Sequence, residues 1–217
     1  MLDKYENDNK NILDLTIYCI NLDDRIDRWV LIENEYKKFC NKIIRVPSVK
    51  NEDNVLSCGL SFLKCITLAK NLNLKEILIC EDDVTFHDNS IKIWNLCIQE
   101  LPDDWDILLG GVSSFKNTNK SKYKYLVKLN DFSGEHMMLV NNKAFDKLFK
   151  YLNNKNIKHF DRFLGSCAKS KELNIYCCVP FVSVPILNGY SNIRKKYVSD
   201  NNYFITSLLK LIKLINK

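Results

Sequence analysis

The 217-residue chain lacks the sequence signatures of several common protein classes. It contains no run of about 18 apolar residues, the length that a membrane-spanning helix needs. It also contains no GxGxxG, P-loop or GxSxG motif, which argues against dinucleotide oxidoreductases, P-loop NTPases and serine hydrolases. The nine cysteines include no CxxC pair, and the three histidines show no HxxxH spacing. We therefore expect reduced structural thiols in a cytoplasmic protein, not a disulfide framework or a zinc site.

Arginine is scarce as well, since only five of the 32 basic residues are arginines and the rest are lysines. Together with abundant asparagine and isoleucine, this bias is typical of an A/T-rich genome, such as that of some bacteria or large DNA viruses. The net charge of +6 is modest. Because no recognition helix, zinc-finger spacing or arginine–aromatic interleaving accompanies it, we expect no nucleic-acid partner.

Strand and helix patterns alternate along the first half of the chain. Apolar, β-branched runs predict strands, and apolar residues at helical spacing predict the helices between them. The predicted strands are 15–21, 42–46, 76–80 and 106–109, and the predicted helices are 25–40, 57–72 (with Ser57 as its cap) and 90–100. This order favours an α/β fold with a mainly parallel central sheet.

The second half is less regular. Strands are predicted at 123–129, 135–140 and 175–184, and helices at 142–152 and 160–173. We expect three regions: a polar N-terminal segment over 1–13, one domain over 14–200, and a C-terminal helix over 201–217.

Three acidic residues, Glu81, Asp82 and Asp83, directly follow the apolar strand predicted over 76–80. Like charges at the mouth of a buried strand repel one another unless they are paired or hold a cation. Carboxylate oxygens suit a hard divalent cation such as Mn²⁺ or Mg²⁺, which keeps open positions for phosphate. The alternative is a solvated junction between a strand and a loop.

The chain resembles glycosyltransferase family 25, the lipopolysaccharide and collagen β-galactosyltransferase-like family. The resemblance covers about 15–193, and seven segments occur in the family's order: 20–29 (INLDDRIDRW), 57–65 (SCGLSFLKC), 78–84 (LICEDDV), 104–111 (DWDILLGG), 134–148 (GEHMMLVNNKAFDKL), 160–164 (FDRFL) and 185–193 (PILNGYSNI). Two positions depart from the pattern: Phe62 stands where the family usually has His, and Asn192 where it has Asp.

The resemblance implies a nucleotide-diphospho-sugar transferase (GT-A, Rossmann-like) fold and a metal-dependent, inverting transfer. A hexose, with galactose or glucose favoured, would move from a UDP-sugar to a hydroxyl of a glycan, lipopolysaccharide, lipid-linked or glycoprotein acceptor. The cation, Mn²⁺ or Mg²⁺, would be held by Asp83 with support from Glu81, while Asp82 would support it or hold the ribose. The alternative is a glycosyltransferase-like binding or scaffold protein that has lost the chemistry.

Further donor contacts are expected from two other segments. Arg25 and Arg28 follow the first strand, where guanidinium groups suit a diphosphate, although a surface helix with local ion pairs is the alternative. Asn21 and Asp23 would contact the base or ribose. Residues Gly59 and Ser61 lie at the predicted helix start, whose N–H groups favour phosphate, unless they only cap the helix.

An inverting transfer also needs a base that takes the proton of the acceptor hydroxyl. Asp161, at the start of the predicted helix over 160–173, is the first candidate, and a helix-terminal acid without catalytic function is the alternative. Glu135, at the start of a predicted strand, is the second candidate.

The last residues, SLLKLIKLINK, place lysines on one face of a helix and leucine and isoleucine on the other. A basic amphipathic helix of this kind can lie at a membrane surface. The alternatives are a helix that packs on its own domain and a dimer contact.

Overall fold

Six α-helices surround a central sheet in the computed structural model, which describes residues 14–37, 39–154, 158–186, 189–191, 196–198 and 202–215. The N-terminal segment expected over 1–13 and the position of Asn192 lie outside these residues. The strands are β1 (Thr16–Asn21), β2 (Lys42–Pro47), β3 (Glu76–Glu81), β4 (Val84–Phe86), β5 (Ile107–Leu109), β6 (Ser114–Phe115), β7 (Leu126–Lys128), β8 (Phe132–Ser133), β9 (Met137–Asn141), β10 (Ile175–Cys178), β11 (Ser183–Pro185), β12 (Gly189–Ser191) and β13 (Lys196–Val198). The helices are α1 (Ile26–Tyr36), α2 (Asn54–Asn71), α3 (Ser90–Glu100), α4 (Phe145–Leu148), α5 (Phe160–Lys169) and α6 (Asn202–Ile215).

The main sheet has seven strands in the order β2-β1-β3-β9-β5-β10-β7. Strands β2, β1 and β3 are parallel neighbours, and β5 and β10 form a second parallel pair. This arrangement confirms the α/β class with a mostly parallel core. Strand β9, however, is antiparallel to both β3 and β5. A parallel neighbour needs a crossover connection, usually a helix, and none lies between β5 and β9.

Helices cover both faces of this sheet, so its inner strands are buried on both sides. Residues alternate between two apolar clusters: Tyr18 and Ile20 of β1 face the cluster with α2, α5 and α6, whereas Ile17 and Cys19 face the cluster with α1 and α3. This two-residue alternation is the pleat of a strand. Burial on both faces explains why the parallel strands read as continuous apolar runs.

Helix α2 begins earlier than the sequence predicts. Asp53 is the N-cap, because its carboxylate accepts hydrogen bonds from the backbone N–H groups of Val55 and Leu56. Aspartate is among the strongest N-cap residues. Ser57 lies inside the helix, where its hydroxyl donates to the carbonyl of Val49, so its prediction as the cap is wrong.

The segment predicted as one helix over 142–152 is also divided. Two 3₁₀ turns, Asn142–Ala144 and Phe149–Asn153, flank the four residues of α4.

The C-terminal helix α6 packs on its own domain. Leu211 is buried, and Phe204, Leu208 and Ile212 pack against the same apolar cluster as α2 and α5. The intramolecular alternative therefore holds for this face of α6. Tyr203, Ile205 and Leu209 stay exposed, so contact of these side chains with a membrane surface remains a prediction. Within the residues described above, no helix has the length and apolarity to cross a membrane.

Candidate functional site

The carboxyl ends of β1 and β3 meet at one rim of the sheet, where Ile20 pairs with Glu81. In open α/β sheets, ligands bind beyond these strand ends. A pocket of about 170 Å³ opens here, and α1 and α2 close its sides. The polar side chains in its lining include those of Arg28, Ser57, Cys58, Ser61, Glu81, Asp82 and Asp83.

Asp82 is fixed by two donors from the β1 side of the pocket. The side-chain amide of Asn21 donates to Asp82 Oδ2 at 2.7 Å, and Arg28 Nη1 donates to Oδ1 at 2.5 Å. Asn21 is buried, and the side chains of Arg28 and Asp82 are only 14% and 11% exposed. The structure therefore brings together three of the predicted donor-binding residues, which lie far apart in the sequence.

Arg45, which the sequence analysis did not select, extends this network. Its Nε donates to Asn21 Oδ1 at 2.8 Å, and its Nη2 donates to Asp23 Oδ1 at 2.9 Å. A continuous chain of contacts thus runs from Asp23 through Arg45, Asn21 and Asp82 to Arg28. The available signal was an arginine between the apolar residues of strand β2, two residues before the end of the strand.

Glu81 and Asp83 are less well compensated than Asp82. Asp83 Oδ1 is buried and has no hydrogen-bond partner among the described residues, and Oδ2 lies 3.8 Å from Arg28 Nη1. Burial raises the pKa of Asp83 to about 6, although Arg28 acts against this shift. Burial, followed by the charges of Asp83 and Asp82, raises the pKa of Glu81 well above its usual range. The Cys58 thiol donates to Glu81 Oε1 at 3.6 Å.

These carboxylates fit a cation site that is completed by the phosphates of a bound ligand. They do not form a site in which the protein supplies all of the metal ligands. In the part of the chain that the structure describes, no group of three or more His, Cys, Asp or Glu side chains is arranged to hold a metal ion. Mg²⁺, however, is commonly bound by one or two carboxylates together with substrate phosphates. The buried, unpartnered oxygen of Asp83, beside Glu81, supplies this donor type.

Three predicted donor-binding residues have other contacts. Arg25 makes a two-pronged ion pair with Asp27 on the surface of α1, which agrees with the alternative of a local ion pair. Gly59 packs against Tyr151, whose ring would lie 2.5 Å from an added Cβ. The Ser61 hydroxyl accepts from Val49 N–H and donates to the Ser57 carbonyl. Because α2 begins at Asn54, the helix-start argument for Gly59 and Ser61 is wrong.

The two candidate bases lie at the same rim. Glu135 and His136 directly precede β9. The backbone carbonyl of His136 accepts a hydrogen bond from the backbone N–H of Glu81, which brings Glu135 to the end of β3. Glu135 is 7% exposed, and its Oε2 has no partner among the residues described. Burial, and then the charge of Asp161, raises the pKa of Glu135 well above its usual range. Asp161 has both oxygens engaged, because Oδ2 accepts from Gly134 N–H at 2.9 Å and Oδ1 from Arg162 N–H at 2.7 Å.

The Phe62 departure from the family pattern has a structural explanation. Phe62 is buried and stacks on Phe160, with ring centroids 5.1 Å apart. It is therefore part of the apolar core and does not line the pocket.

The chain belongs to glycosyltransferase family 25. The family model, described as glycosyltransferase family 25 (LPS biosynthesis protein), matches residues 52–167, which include the acidic triplet and both candidate bases. No curated protein matches the chain.

Three solved structures are distantly similar to it. Protein A197 from STIV has 10% identity and a TM-score of 0.46, with 86% of this chain and 94% of that chain covered. A glycosyltransferase involved in glycosylation of the PBCV-1 major capsid has 12% identity and a TM-score of 0.42, with 66% and 68% covered. A Drosophila β-1,4-galactosyltransferase 7 mutant, in complex with manganese, UDP-Gal and xylobiose, has 12% identity and a TM-score of 0.40, with 85% and 70% covered.

Proposed function

We propose that this family 25 glycosyltransferase transfers a hexose, galactose or glucose, from a UDP-sugar to a hydroxyl acceptor with inversion and with Mn²⁺ or Mg²⁺. The observation that carries the proposal is the pair Glu81 and Asp83, two partly buried carboxyls at the strand rim beside the guanidinium of Arg28, of which Asp83 has an oxygen without a hydrogen-bond partner among the described residues. Without a ligand, such a pair does not stabilise the folded protein, because removal from water disfavours the ionised form of both carboxyls.

The donor-binding roles follow from the positions of the groups. Asp83, supported by Glu81, would hold the divalent cation, which supplies positive charge to the departing diphosphate. Arg28 lines the same pocket and suits a phosphate oxygen, because guanidinium groups bind phosphate in a bidentate manner. Asn21 and Asp82 form a hydrogen-bonded pair that would contact the ribose or base.

The acceptor hydroxyl must lose its proton as the sugar carbon is attacked. The two candidates are Asp161 and Glu135. The unpartnered Oε2 of Glu135 favours it as the proton acceptor, whereas the two backbone hydrogen bonds of Asp161 favour a role in holding the turn at Gly134. A glycan, a lipid-linked sugar or a glycoprotein are all hydroxyl acceptors of this chemical class.

A thermal-shift screen of nucleotide sugars with and without Mn²⁺ tests the proposal. We expect UDP-hexoses to raise the unfolding temperature only when Mn²⁺ is present, and to raise it more than GDP- or CMP-sugars do. Release of UDP in the absence of an acceptor then separates an enzyme from an inactive binding protein of the same fold. If no nucleotide sugar stabilises the protein with Mn²⁺, the donor assignment is wrong.

A further inference from the structure

The guanidinium of Arg28 contacts the same carboxylates that we expect to hold the cation. Its Nη1 is 2.5 Å from Asp82 Oδ1 and 3.8 Å from Asp83 Oδ2. Its side chain is only 14% exposed, and it lines the pocket together with both aspartates. The guanidinium therefore compensates the charge of Asp82 and part of the charge of Asp83 in the ligand-free protein.

A divalent cation at Asp83 would lie within a few ångströms of this guanidinium. Two positive groups so close repel strongly in a partly buried site. A cation alone therefore has to compete with Arg28 for the carboxylates. A diphosphate removes this conflict, because its oxygens can accept hydrogen bonds from the guanidinium and also coordinate the cation.

Asp82 does not depend on Arg28 alone. Its Oδ2 accepts from Asn21 at 2.7 Å, and Asn21 is held in turn by Arg45, whose Nε donates to Asn21 Oδ1. If Arg28 turns towards a ligand, Asp82 keeps this bond from a buried amide. The network therefore leaves Asp82 with a hydrogen-bond donor when Arg28 turns away.

We propose that Arg28 is an exchangeable counter-ion, which pairs with Asp82 and Asp83 in the empty enzyme and turns to the donor diphosphate when the cation binds. This inference rests on the proposed function, since it requires a cation and a diphosphate at this rim. Its consequence is linkage: the cation binds weakly without nucleotide, and each ligand raises the affinity for the other by the same factor.

The test is a measurement of Mn²⁺ affinity, by the paramagnetic resonance signal of free Mn²⁺, with and without UDP. In the wild-type protein, UDP should tighten Mn²⁺ binding by at least about tenfold, a typical size for coupling between sites. In Arg28→Gln, Mn²⁺ alone should bind about tenfold tighter, because the competing charge is gone. The gain from UDP should shrink in this variant.

Two further variants serve as controls. Arg28→Lys keeps the charge and loses the two-pronged fork, so Mn²⁺ alone should bind as in the wild type while the gain from UDP falls. Arg162→Gln removes an exposed arginine of α5 that does not line the pocket, and it should behave as the wild type in both measurements. If Arg28→Gln fails to fold, Arg28→Met provides the test, because it also removes the competing charge and keeps an apolar stem of similar length.

The outcomes separate this inference from the proposed function. If Arg28→Gln binds Mn²⁺ alone with wild-type affinity and only its UDP affinity falls, Arg28 is a phosphate ligand without an exchange role, and the inference is overturned. If the folded wild-type protein binds no Mn²⁺ even with UDP, the proposed function fails and the inference fails with it.

Discussion

Replacing Asp83 with asparagine is expected to stabilise the cation-free protein at neutral pH. Burial raises the pKa of Asp83 to about 6, from a usual value of 3.8, so the folded state holds this proton more tightly than the unfolded state does. The protonated Asp83 side chain therefore contributes its full stability below pH 3.8, the usual pKa of aspartate. This contribution is lost as the pH rises through about 6, the pKa in the folded protein. Asparagine has the shape of the neutral acid and removes this loss.

The size of the effect follows from the shift. A difference of about two pKa units corresponds to roughly 3 kcal/mol at pH 7. For a chain of this length, each kcal/mol moves the unfolding temperature by about 2–4 °C, so Asp83→Asn should unfold about 6–12 °C higher. At pH 5 about half of the difference should remain, because Asp83 is then largely protonated in the folded protein but still largely ionised in the unfolded chain, and the difference should disappear only below about pH 4.

The assay is thermal unfolding at pH 7 and pH 5, with and without Mn²⁺ and UDP. The variant should lose the stabilisation by Mn²⁺ with UDP that we expect of the wild type. Asp82→Asn is the matched contrast within the triplet: it should lower stability by about 1.5–3 kcal/mol, because it weakens charged hydrogen bonds from Arg28 and Asn21. An Asp83→Asn protein that is less stable than the wild type, or that keeps the full response to Mn²⁺ and UDP, would refute this reasoning.

Three other predictions concern the rest of the molecule. Glu135→Gln should reduce sugar transfer by about 10²–10⁴-fold with unchanged UDP affinity; transfer rates within a few-fold of the wild type would exclude Glu135 as the base. Gly59→Ala should lower the free energy of unfolding by about 1–3 kcal/mol, because the added Cβ meets the Tyr151 ring, and a neutral effect in denaturant titrations would contradict that packing. The double change Ile205→Ser and Leu209→Ser should weaken sedimentation with anionic phospholipid vesicles; equal sedimentation of both proteins would argue against membrane contact through α6.

The sequence was sufficient to predict the α/β class and the acidic triplet at the end of a buried strand, because both depend on local patterns. Continuous apolar runs mark β1 and β3, helical periodicity marks α1 and α3, and the acidic triplet begins at the last residue of β3. The reversal of β9 could not be predicted in this way. It depends on the connection from β5, which carries no helix, and the pattern of a buried strand is the same in either direction.

The contacts inside the site could not be predicted from the sequence either. Asn21 and Asp82 meet only because β1 and β3 are neighbours in the sheet, and Arg45 joins them from the next strand. The error at the start of α2 has a local cause, because Asp53 and Ser57 are both good N-cap residues and the apolar pattern does not distinguish them. The sequence also did not show that Asp161 is hydrogen-bonded to the turn at Gly134, whereas Glu135, the next residue after this turn, has an oxygen without a partner among the described residues.

The most direct test of the account is a crystal structure with Mn²⁺ and UDP, in which anomalous scattering locates the metal. The account predicts a manganese peak at about 2.1 Å from a carboxylate oxygen of Asp83 and in contact with the diphosphate, with Arg28 turned towards a phosphate oxygen. A nucleotide bound in the pocket without metal at Asp83, or manganese bound at another part of the molecule, would contradict it.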